Sequence, residues 1–287
     1  YWPLNEPTGS VVFDNASFAD ADAGTGVTRG AAGAIPNDAA SNFDGSGAGF
    51  AATRGAAPGP DTFTAEAWFN TTSTRGGKIL GFGASATGNS GSYDRHIYMD
   101  NAGHIWFGVY PGGVQTLSTS NTYNDGQWHQ VTASLGADGM HLFIDGVPAG
   151  QRSDVTSGQA YSGYWRIGGD NLGGWPNQPD SSYFAGAIDD VAIYPTVLSR
   201  QTVLSHFTAS GRESSLPPAP TDAYGTSVTS DQPDLYWRLD ESAGNVAADS
   251  SQSSNNGTYQ GGVTKGATGV IPGYSGTAAS FNGQDGA

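Results

Sequence analysis

The chain has 287 residues, no cysteine, and 26 acidic against 11 basic residues, for a net charge of −15. The lack of cysteine excludes disulfides, thiolate zinc sites and cysteine nucleophiles. The acidity disfavours nucleic acid and anionic membrane surfaces as partners, and no apolar run is long enough to span a bilayer. We therefore predict neither nucleic-acid binding nor membrane insertion.

Short apolar runs separated by turns follow one another along the chain and predict an all-β protein with long loops. They comprise a strand at 63–69, hairpins at 96–110 and 127–144, and strands at 164–168 and 183–194. Only one stretch is typical of a helix. There Ser199 can cap a short helix that carries Val203, Leu204 and Phe207 on one face.

The opening of the chain recurs near its end. The run YWPLNE starts at Tyr1 and YWRLDE starts at Tyr236, and Asp14 is matched by Asp249. Tandem repeats of this kind are more typical of a modular array, which binds ligands or acts as a spacer, than of a free-standing enzyme. We predict a domain at 1–212, a proline-rich linker at 213–232, and the N-terminal part of a second repeat at 233–287.

Four segments in a fixed order carry a family resemblance. They are 63–69 (FTAEAWF), 126–133 (GQWHQVTA), 141–146 (HLFIDG) and 184–194 (FAGAIDDVAIY). With the YWRLDE opening, they resemble laminin-G-like domains of the concanavalin A-like lectin and glucanase superfamily, of bacterial or phage-tail type. The resemblance implies a two-sheet antiparallel jelly-roll sandwich with one short helix after the last strands, in an extracellular protein.

Four large aromatic residues in or beside these segments are expected to belong to the core rather than to a ligand site. They are Trp68, Trp128, Phe143 and Phe184. Trp128 and Phe143 belong to the two strands of one predicted hairpin. We expect both side chains to fill the space between the two sheets.

The resemblance also implies one Ca²⁺ near a sheet edge. Asp189 occupies the family's Ile-Asp-(Asp/Glu)-Val position, and strand alternation places it on one face with Val191 and Ile193. A carboxylate on a core-facing side needs a partner, because burying it alone is costly. We predict a calcium ion that joins Asp189 to Asp14, in the loop after the first strand. The alternative is a salt bridge or backbone hydrogen bonds to Asp189.

Two loops hold a surplus of aromatic and polar residues and predict a ligand-binding surface. One is 93–96 and the other is 170–180, which follows the three aromatic residues Tyr161, Tyr164 and Trp165. The candidate contacts are Tyr93, Arg95, His96, Trp165, Asn171 and Trp175. An aromatic platform with polar neighbours is typical of sugar recognition, and binding surfaces favour Trp, Tyr and Arg. The alternative for Trp175 is that it packs inward and anchors its loop.

The superfamily includes retaining β-glucanases, which need two carboxylates about 5–5.5 Å apart. Their family pattern is Glu-x-Asp-x-x-Glu or Glu-x-Asp-x-Glu on one strand. The glutamates of this chain stand in no such run; they are Glu6, Glu66, Glu213 and Glu241. We assign no catalytic residue and predict that the protein is not an enzyme.

Together these observations predict a non-catalytic extracellular module for binding or adhesion. Its expected partners are a glycan or another cell-surface ligand, and adjacent repeats or neighbouring copies of the chain. One alternative is a structural spacer in a long surface protein or phage tail fibre. A minor alternative is a glycoside-active enzyme.

Overall fold

The protein is a sandwich of two antiparallel sheets with short helices at one side. The computed structural model describes residues 1–216, 220–231, 233–251, 253, 255–271 and 276–287. In chain order, the elements are β1 Val11–Val12, β2 Ala21–Ala23, β3 Val27–Ala32, β4 Ala39–Asp44, β5 Ala51–Thr53, β6 Ala57–Pro58, β7 Phe63–Asn70, β8 Gly77–Gly83, β9 Tyr93–Met99, β10 Ile105–Val109, β11 Gln115–Ser118, β12 His129–Gly136, β13 Gly139–Ile144, β14 Val147–Arg152, β15 Ser162–Ile167, β16 Ala185–Tyr194, α1 Arg200–Ala209, α2 Ala223–Ser230, β17 Val246–Ala247, β18 Gly257–Thr258, β19 Val263–Thr268 and β20 Thr277–Phe281.

The sheet order brings strands from distant parts of the chain together. The nine-stranded sheet runs β1-β2-β5-β15-β8-β9-β10-β11, with β6 beside β15, and the seven-stranded sheet runs β14-β13-β12-β7-β16-β4-β3. Every pairing in both sheets is antiparallel. This arrangement confirms the predicted jelly-roll sandwich.

The main core lies between the two sheets and follows strand alternation. In β7, Phe63 and Phe69 point into it, and both are fully buried. Phe63 meets Phe107 of the opposite sheet edge to face, with ring centroids 6.2 Å apart. Phe184 is fully buried in the same cluster, as predicted. Each such aromatic side chain contributes roughly 1.5–3 kcal/mol through burial.

A smaller cluster covers the outer face of the seven-stranded sheet. Trp68 stacks on Phe207 of α1, with centroids 5.8 Å apart, and Trp128 packs against the pair. Phe143 is buried but lies outside the main core, whereas its neighbour Leu142 is part of it. The prediction that Trp128 and Phe143 fill the space between the sheets is therefore wrong. Alternation along β13 turns Phe143 to the outer side, and Trp128, which comes just before β12, packs on the outer face with Trp68.

The predicted short helix is confirmed as α1. The Ser199 side chain caps it by accepting a hydrogen bond from the Thr202 amide at 3.1 Å. Val203, Leu204 and Phe207 are buried against the sheet, as the sequence pattern predicts.

A second helix, α2, lies inside the stretch predicted as a linker. The Asp222 side chain accepts a hydrogen bond from the Gly225 amide at 2.9 Å and caps its start. The sequence does not predict this helix, because glycine, serine and threonine are weak helix formers. The prolines Pro217 and Pro218 of the predicted linker lie outside the described residues. Neither helix in the described chain is long and apolar enough to cross a membrane.

The described residues after α2 form two small strand pairs, β17 with β18 and β19 with β20. A contact with the sandwich runs through Arg200 of α1, which donates to the Asp234 carboxylate at 2.9 Å. Arg200 also bonds Ser253. This end of the chain therefore touches the sandwich at the start of α1.

Candidate functional site

Asp189 and Asp190 sit at an irregularity of β16. The register with β7 shifts just after Asp189, which pairs with Trp68. Asp190 has a φ of 46°, a left-handed conformation that is costly for a non-glycine residue. Because cross-strand partners share a face, Asp189 lies on the outer face with Trp68. Its predicted alignment with Val191, a main-core residue, is wrong, since the bulge breaks the alternation.

The bulge brings three carboxylates together, which we call the acidic cluster: Asp38, Asp189 and Asp190. One oxygen of each lies within 4.8 Å of the other two. Asp189 is fully buried and Asp190 nearly so, whereas Asp38 is half-buried. Asp189 accepts backbone hydrogen bonds from the Ala34 amide at 2.8 Å and the Asp190 amide at 3.0 Å. The Tyr1 hydroxyl donates to Asp190.

The electrostatics of the acidic cluster disfavour its negative charge. Burial, together with the charges of Asp190 and Asp38, raises the pKa of Asp189 to about 7, although two backbone hydrogen bonds oppose the shift. Burial also raises the pKa of Asp190. A Cβ at Gly33 would lie 2.8 Å from the Asp189 Oδ2 and 2.9 Å from the Asp38 carbonyl oxygen. The chain therefore packs tightly behind a set of oxygen donors of the kind Ca²⁺ prefers.

Asp14, the other predicted metal ligand, lies outside the acidic cluster. Its carboxylate accepts hydrogen bonds from the amides of Ala16 and Ala19 at 2.9 and 3.0 Å, from the Ser17 hydroxyl, and from the chain's amino group at 2.8 Å. Although burial opposes the shift, these bonds hold the pKa of Asp14 well below its usual range. The Asp14 oxygens thus bond groups of their own loop, and the structure does not bring them together with Asp189.

The outer face of the nine-stranded sheet carries a row of aromatic rings. Tyr93, Trp106 and Tyr110 are half-buried there and form what we call the aromatic patch. Trp106 stacks on the buried Tyr98, with centroids 6.0 Å apart and planes 15° from parallel. Sequence analysis named Tyr93 but missed Trp106 and Tyr110. Their signal was the alternation of β10, in which Ile105, Phe107 and Val109 point to the core.

Residues 170–181, which we call the covering loop, lie over this face beside the aromatic patch. Trp175 is only 5% exposed, and its ring centroid is 4.0 Å from that of His96. The Tyr98 hydroxyl donates to the Pro176 carbonyl at 2.7 Å, and the Tyr93 hydroxyl donates to the Gly173 carbonyl at 2.8 Å. Trp175 is therefore a loop anchor, the alternative left open by the sequence.

The structure places Arg95 and His96 in the interior. Arg95 is 1% exposed, forms ion pairs with Asp94 at 2.6 Å and Asp61 at 3.2 Å, and donates to the Pro60 carbonyl at 2.7 Å. His96 is fully buried, and burial with the nearby Lys78 charge lowers its pKa well below the usual value. The protein encloses both of these predicted ligand contacts in this structure.

The last two candidates occupy different positions. Trp165 packs edge-on against Phe63 and Phe82, with centroids 5.7 and 5.2 Å apart, and so supports the main core. The Asn171 side chain donates to the Ser90 carbonyl at 3.1 Å and accepts from the Gly173 amide at 2.9 Å. Asn171 is half-buried at the edge of the covering loop, on the side of Tyr93.

A separate cleft of about 740 Å³ lies between β13, β14, the start of α1 and the contact residue Asp234. Its charged side chains are already paired. Arg152 bonds Asp154 at 2.7 Å, and Arg200 bonds Asp234 at 2.9 Å. None of the residues predicted from the sequence to bind a ligand or a metal lines this cleft.

Comparisons with known proteins agree with this fold. A family model described as the concanavalin A-like lectin/glucanases superfamily, of laminin-G type, matches residues 44–204, which is more than half of the chain. A comparison with curated proteins finds no match. The matched stretch runs from the end of β4 to α1 and holds the aromatic patch, the covering loop and two residues of the acidic cluster.

Several solved structures share the fold at low sequence identity. The binding domain of botulinum neurotoxin serotype G has a TM-score of 0.53 and 11% identity, over 74% of this chain and 50% of that chain. The binding domain of Paraclostridial Mosquitocidal Protein 1 has a TM-score of 0.50 and 14% identity, over 70% and 51%. Trypanosoma rangeli sialidase in complex with sialic acid has a TM-score of 0.50 and 15% identity, over 73% and 32%.

The match thus spans between about a third and about half of each of those longer chains, and at such identities the likeness shows the fold alone. The family match does show the family, because it covers more than half of the chain, with most strands of both sheets and both of the hairpins predicted from the sequence. The chain belongs to the concanavalin A-like lectin/glucanase superfamily.

Proposed function

We propose that the protein is a non-catalytic extracellular module that binds carbohydrate through the aromatic patch. The observation that carries this proposal is the group of half-exposed rings of Tyr93, Trp106 and Tyr110 on one sheet face, with the Asn171 amide near Tyr93. A sugar ring can pack its C–H face on such rings while amide and hydroxyl groups bond its hydroxyls.

The structural relatives support a binding role without deciding it. Two of them are described as binding domains, of a neurotoxin and of a mosquitocidal protein, and a third is a sialidase in complex with sialic acid. One fold can host both binding and catalysis, so the site must carry the argument. Glu66 of β7 is 6% exposed and bonds Thr132 at 3.1 Å and His206 at 3.2 Å beneath α1. This position suits a structural carboxylate better than a catalytic one.

A glycan array with the wild-type protein tests the proposal, followed by calorimetry on any glycan that binds. Tyr110→Ala removes one ring of the aromatic patch and should weaken binding about two- to tenfold, since stacked aromatic contacts contribute about 0.5–1.5 kcal/mol. Phe18→Ala is the matched control, because Phe18 is a fully exposed ring outside the patch and its loss should change nothing.

An array on which the folded wild-type protein binds no glycan would count against the carbohydrate proposal. It would favour the second candidate, a structural spacer. That reading is supported by the recurrence of the opening sequence from Tyr236 onwards.

We also propose that the acidic cluster holds a structural Ca²⁺. The support is the donor set: three carboxylates whose oxygens lie within 4.8 Å of one another, one of them fully buried. A cation would remove the repulsion among Asp38, Asp189 and Asp190 and link β16 to the turn between β3 and β4. Because the Asp14 oxygens accept hydrogen bonds within their own loop, Asp14 is no longer part of the proposed ligand set.

Thermal unfolding with millimolar Ca²⁺ and again with EGTA tests this site. Saturation to about 100 times the dissociation constant adds about 2.7 kcal/mol, which raises the Tm by roughly 5–10 °C for a domain of this size. The rise should vanish in Asp189→Asn and persist in Asp154→Asn, an exposed carboxylate paired with Arg152. A wild-type Tm that does not respond to Ca²⁺ would remove calcium from the account.

A further inference from the structure

Beneath the covering loop, the sheet holds buried polar atoms that lack partners. Lys78 of β8 and His96 of β9 are fully buried. Among the described residues, neither the Lys78 ammonium nor either ring nitrogen of His96 has a hydrogen-bond partner. Asp170, the first residue of the covering loop, points its Oδ2 at Lys78 from 3.8 Å, and this oxygen has no hydrogen bond either. Each buried polar group without a bond costs about 1–3 kcal/mol, so four such atoms in one place point to a ligand that bonds them.

Glycines lie on both sides of these groups. Gly81 and Gly83 belong to β8 and Gly108 belongs to β10, with β9 between the two strands. A Cβ at Gly81 would lie 2.6 Å from the His96 Cβ and 3.1 Å from the Lys78 Cδ. A Cβ at Gly83 would collide with the Asp170 carboxylate, and a Cβ at Gly108 would collide with the Trp175 ring. The sheet surface is therefore a trough, and the covering loop fills it with one carboxylate and one flat ring.

The covering loop is held over the trough by hydrogen bonds and by the buried side chains of Leu172 and Trp175. Residues 170–181 form no helix and no strand. Their ties to the sheet include the hydroxyls of Tyr93 and Tyr98, which donate to loop carbonyls at 2.8 and 2.7 Å. Gly174, near the middle of the loop, has a φ of 82°. Hydrogen bonds of this kind each contribute about 1 kcal/mol, so a ligand displaces the loop only if its own contacts with the trough replace these bonds and the burial of Leu172 and Trp175.

We propose that the covering loop imitates the ligand of this trough, and that the ligand is a carboxylated sugar. Its carboxylate would bond Lys78 in place of Asp170, and its ring would lie over Gly108 in place of Trp175. This inference rests on the carbohydrate-binding function proposed above and names the class of sugar. The Asp170 carboxylate stands too far from Lys78 to hydrogen-bond it, whereas a free carboxylate can approach to about 2.8 Å. Neutral His96 offers one donor and one acceptor to a sugar hydroxyl.

Calorimetry with D-glucuronate and with methyl glucoside, a neutral sugar of the same ring, tests the proposal. Trp175→Ala removes the competing ring, so glucuronate should bind about tenfold more tightly than to the wild type, with little gain for the glucoside. Adding Lys78→Met to Trp175→Ala should cancel the gain. Equal binding of the two sugars by a folded Trp175→Ala protein, or a gain that survives Lys78→Met, would overturn the proposal.

Amide hydrogen exchange on the wild-type protein gives a second test that does not depend on how well Trp175→Ala folds. Saturating glucuronate should speed exchange at Leu172 and Trp175, as the loop leaves the trough, while Ile97 of the underlying sheet stays protected. Unchanged exchange at Leu172 and Trp175 would contradict displacement of the loop.

The two proposals fail separately. If only the trough is wrong, neutral glycans still bind the wild type, Tyr110→Ala weakens them, and Lys78→Met has no effect on any sugar. If the aromatic patch is wrong and the trough is right, Tyr110→Ala has no effect, while Lys78→Met removes glucuronate binding.

Discussion

The segments 1–44 and 236–283 have similar sequences and make the same local hydrogen bonds. Leu4 and Leu239 both have left-handed backbones, with φ of 61° and 56°. Asp14 accepts from the Tyr1 amino group at 2.8 Å, and Asp249 accepts from the Tyr236 amide at 3.0 Å. The Phe13 amide donates to Glu6 at 2.7 Å, and the Ala248 amide donates to Glu241 at 2.6 Å. The indoles of Trp2 and Trp237 donate to the carbonyls of Ala19 and Asn255, both at 2.9 Å.

The two segments differ in burial. Trp2 is 3% exposed and Trp237 is 42% exposed, while Phe43 is 1% exposed and Phe281 is 44% exposed. The first segment is covered because β4 pairs with β16 and Trp2 bridges Val191 of the same strand. Among the described residues, β20 pairs with β19 alone. Local sequence thus dictates the turn and its bonds, whereas burial comes from a strand more than a hundred residues away.

The largest expected effect is the contrast between Trp2→Ala and Trp237→Ala. The first removes a buried ring from the main core and should lower the free energy of unfolding by about 3–5 kcal/mol. The second removes a half-exposed ring and should cost less than about 1 kcal/mol. Urea unfolding of the two variants measures both. Equal losses would mean that the second segment is as well packed as the first, and the comparison would break.

A smaller effect, alike in both segments, is expected from Asp14→Ala and Asp249→Ala. Each change removes a carboxylate that accepts several backbone or hydroxyl hydrogen bonds in its loop. The local free energy of opening should fall by about 1–2 kcal/mol in each loop, as for a lost helix cap. Amide exchange at Ala16 and Ser251 reports it. A response in only one segment would show that the shared bonds do not have a shared role.

The smallest effect is a pH dependence that belongs to the sandwich and not to the second segment. Burial of His129 opposes its charge, but Asp145 at 2.8 Å and Asp125 at 3.2 Å prevail and raise its pKa. The stabilisation is complete below the unfolded pKa of about 6.5 and is lost as the pH rises through the folded value.

His129→Gln should remove about 1 kcal/mol at pH 5.5 and progressively less at higher pH. Tm measurements across this range test it, with His104→Gln as a control on a different His–Asp pair. A loss that grows with pH would reverse the sign and contradict the assignment.

Local patterns were enough to predict most of the fold. Alternation predicted β7, both hairpins and β16, and the Ser199 cap predicted α1, because these signals depend on neighbours in sequence. The side of the sheet that Phe143 and Trp128 face was not predicted, because it depends on which face the second sheet covers. α2 was missed because its sequence is a weak helix former despite the Asp222 cap.

The candidate site was harder to predict, because its geometry depends on long-range contacts. The bulge after Asp189 depends on pairing with β7 and is not visible as a pattern in β16 itself. Asp38 joins the acidic cluster only when the turn between β3 and β4 folds back onto that bulge. Trp175 looked exposed because its loop is rich in glycine and proline, yet its ring fills the space over Gly108.

The most direct test of the proposed function is an NMR titration of the wild-type protein with a glycan identified on the array. The Trp106 indole N–H, which donates to Asp100 at 3.0 Å, and the Tyr110 amide should shift in a saturable way as the sugar covers the aromatic patch. The Trp237 indole N–H is an internal control outside the patch and should not move. Saturable shifts confined to Trp106 and Tyr110 are the predicted result. Shifts that appear elsewhere, with Trp106 and Tyr110 unmoved, would contradict carbohydrate binding at the aromatic patch.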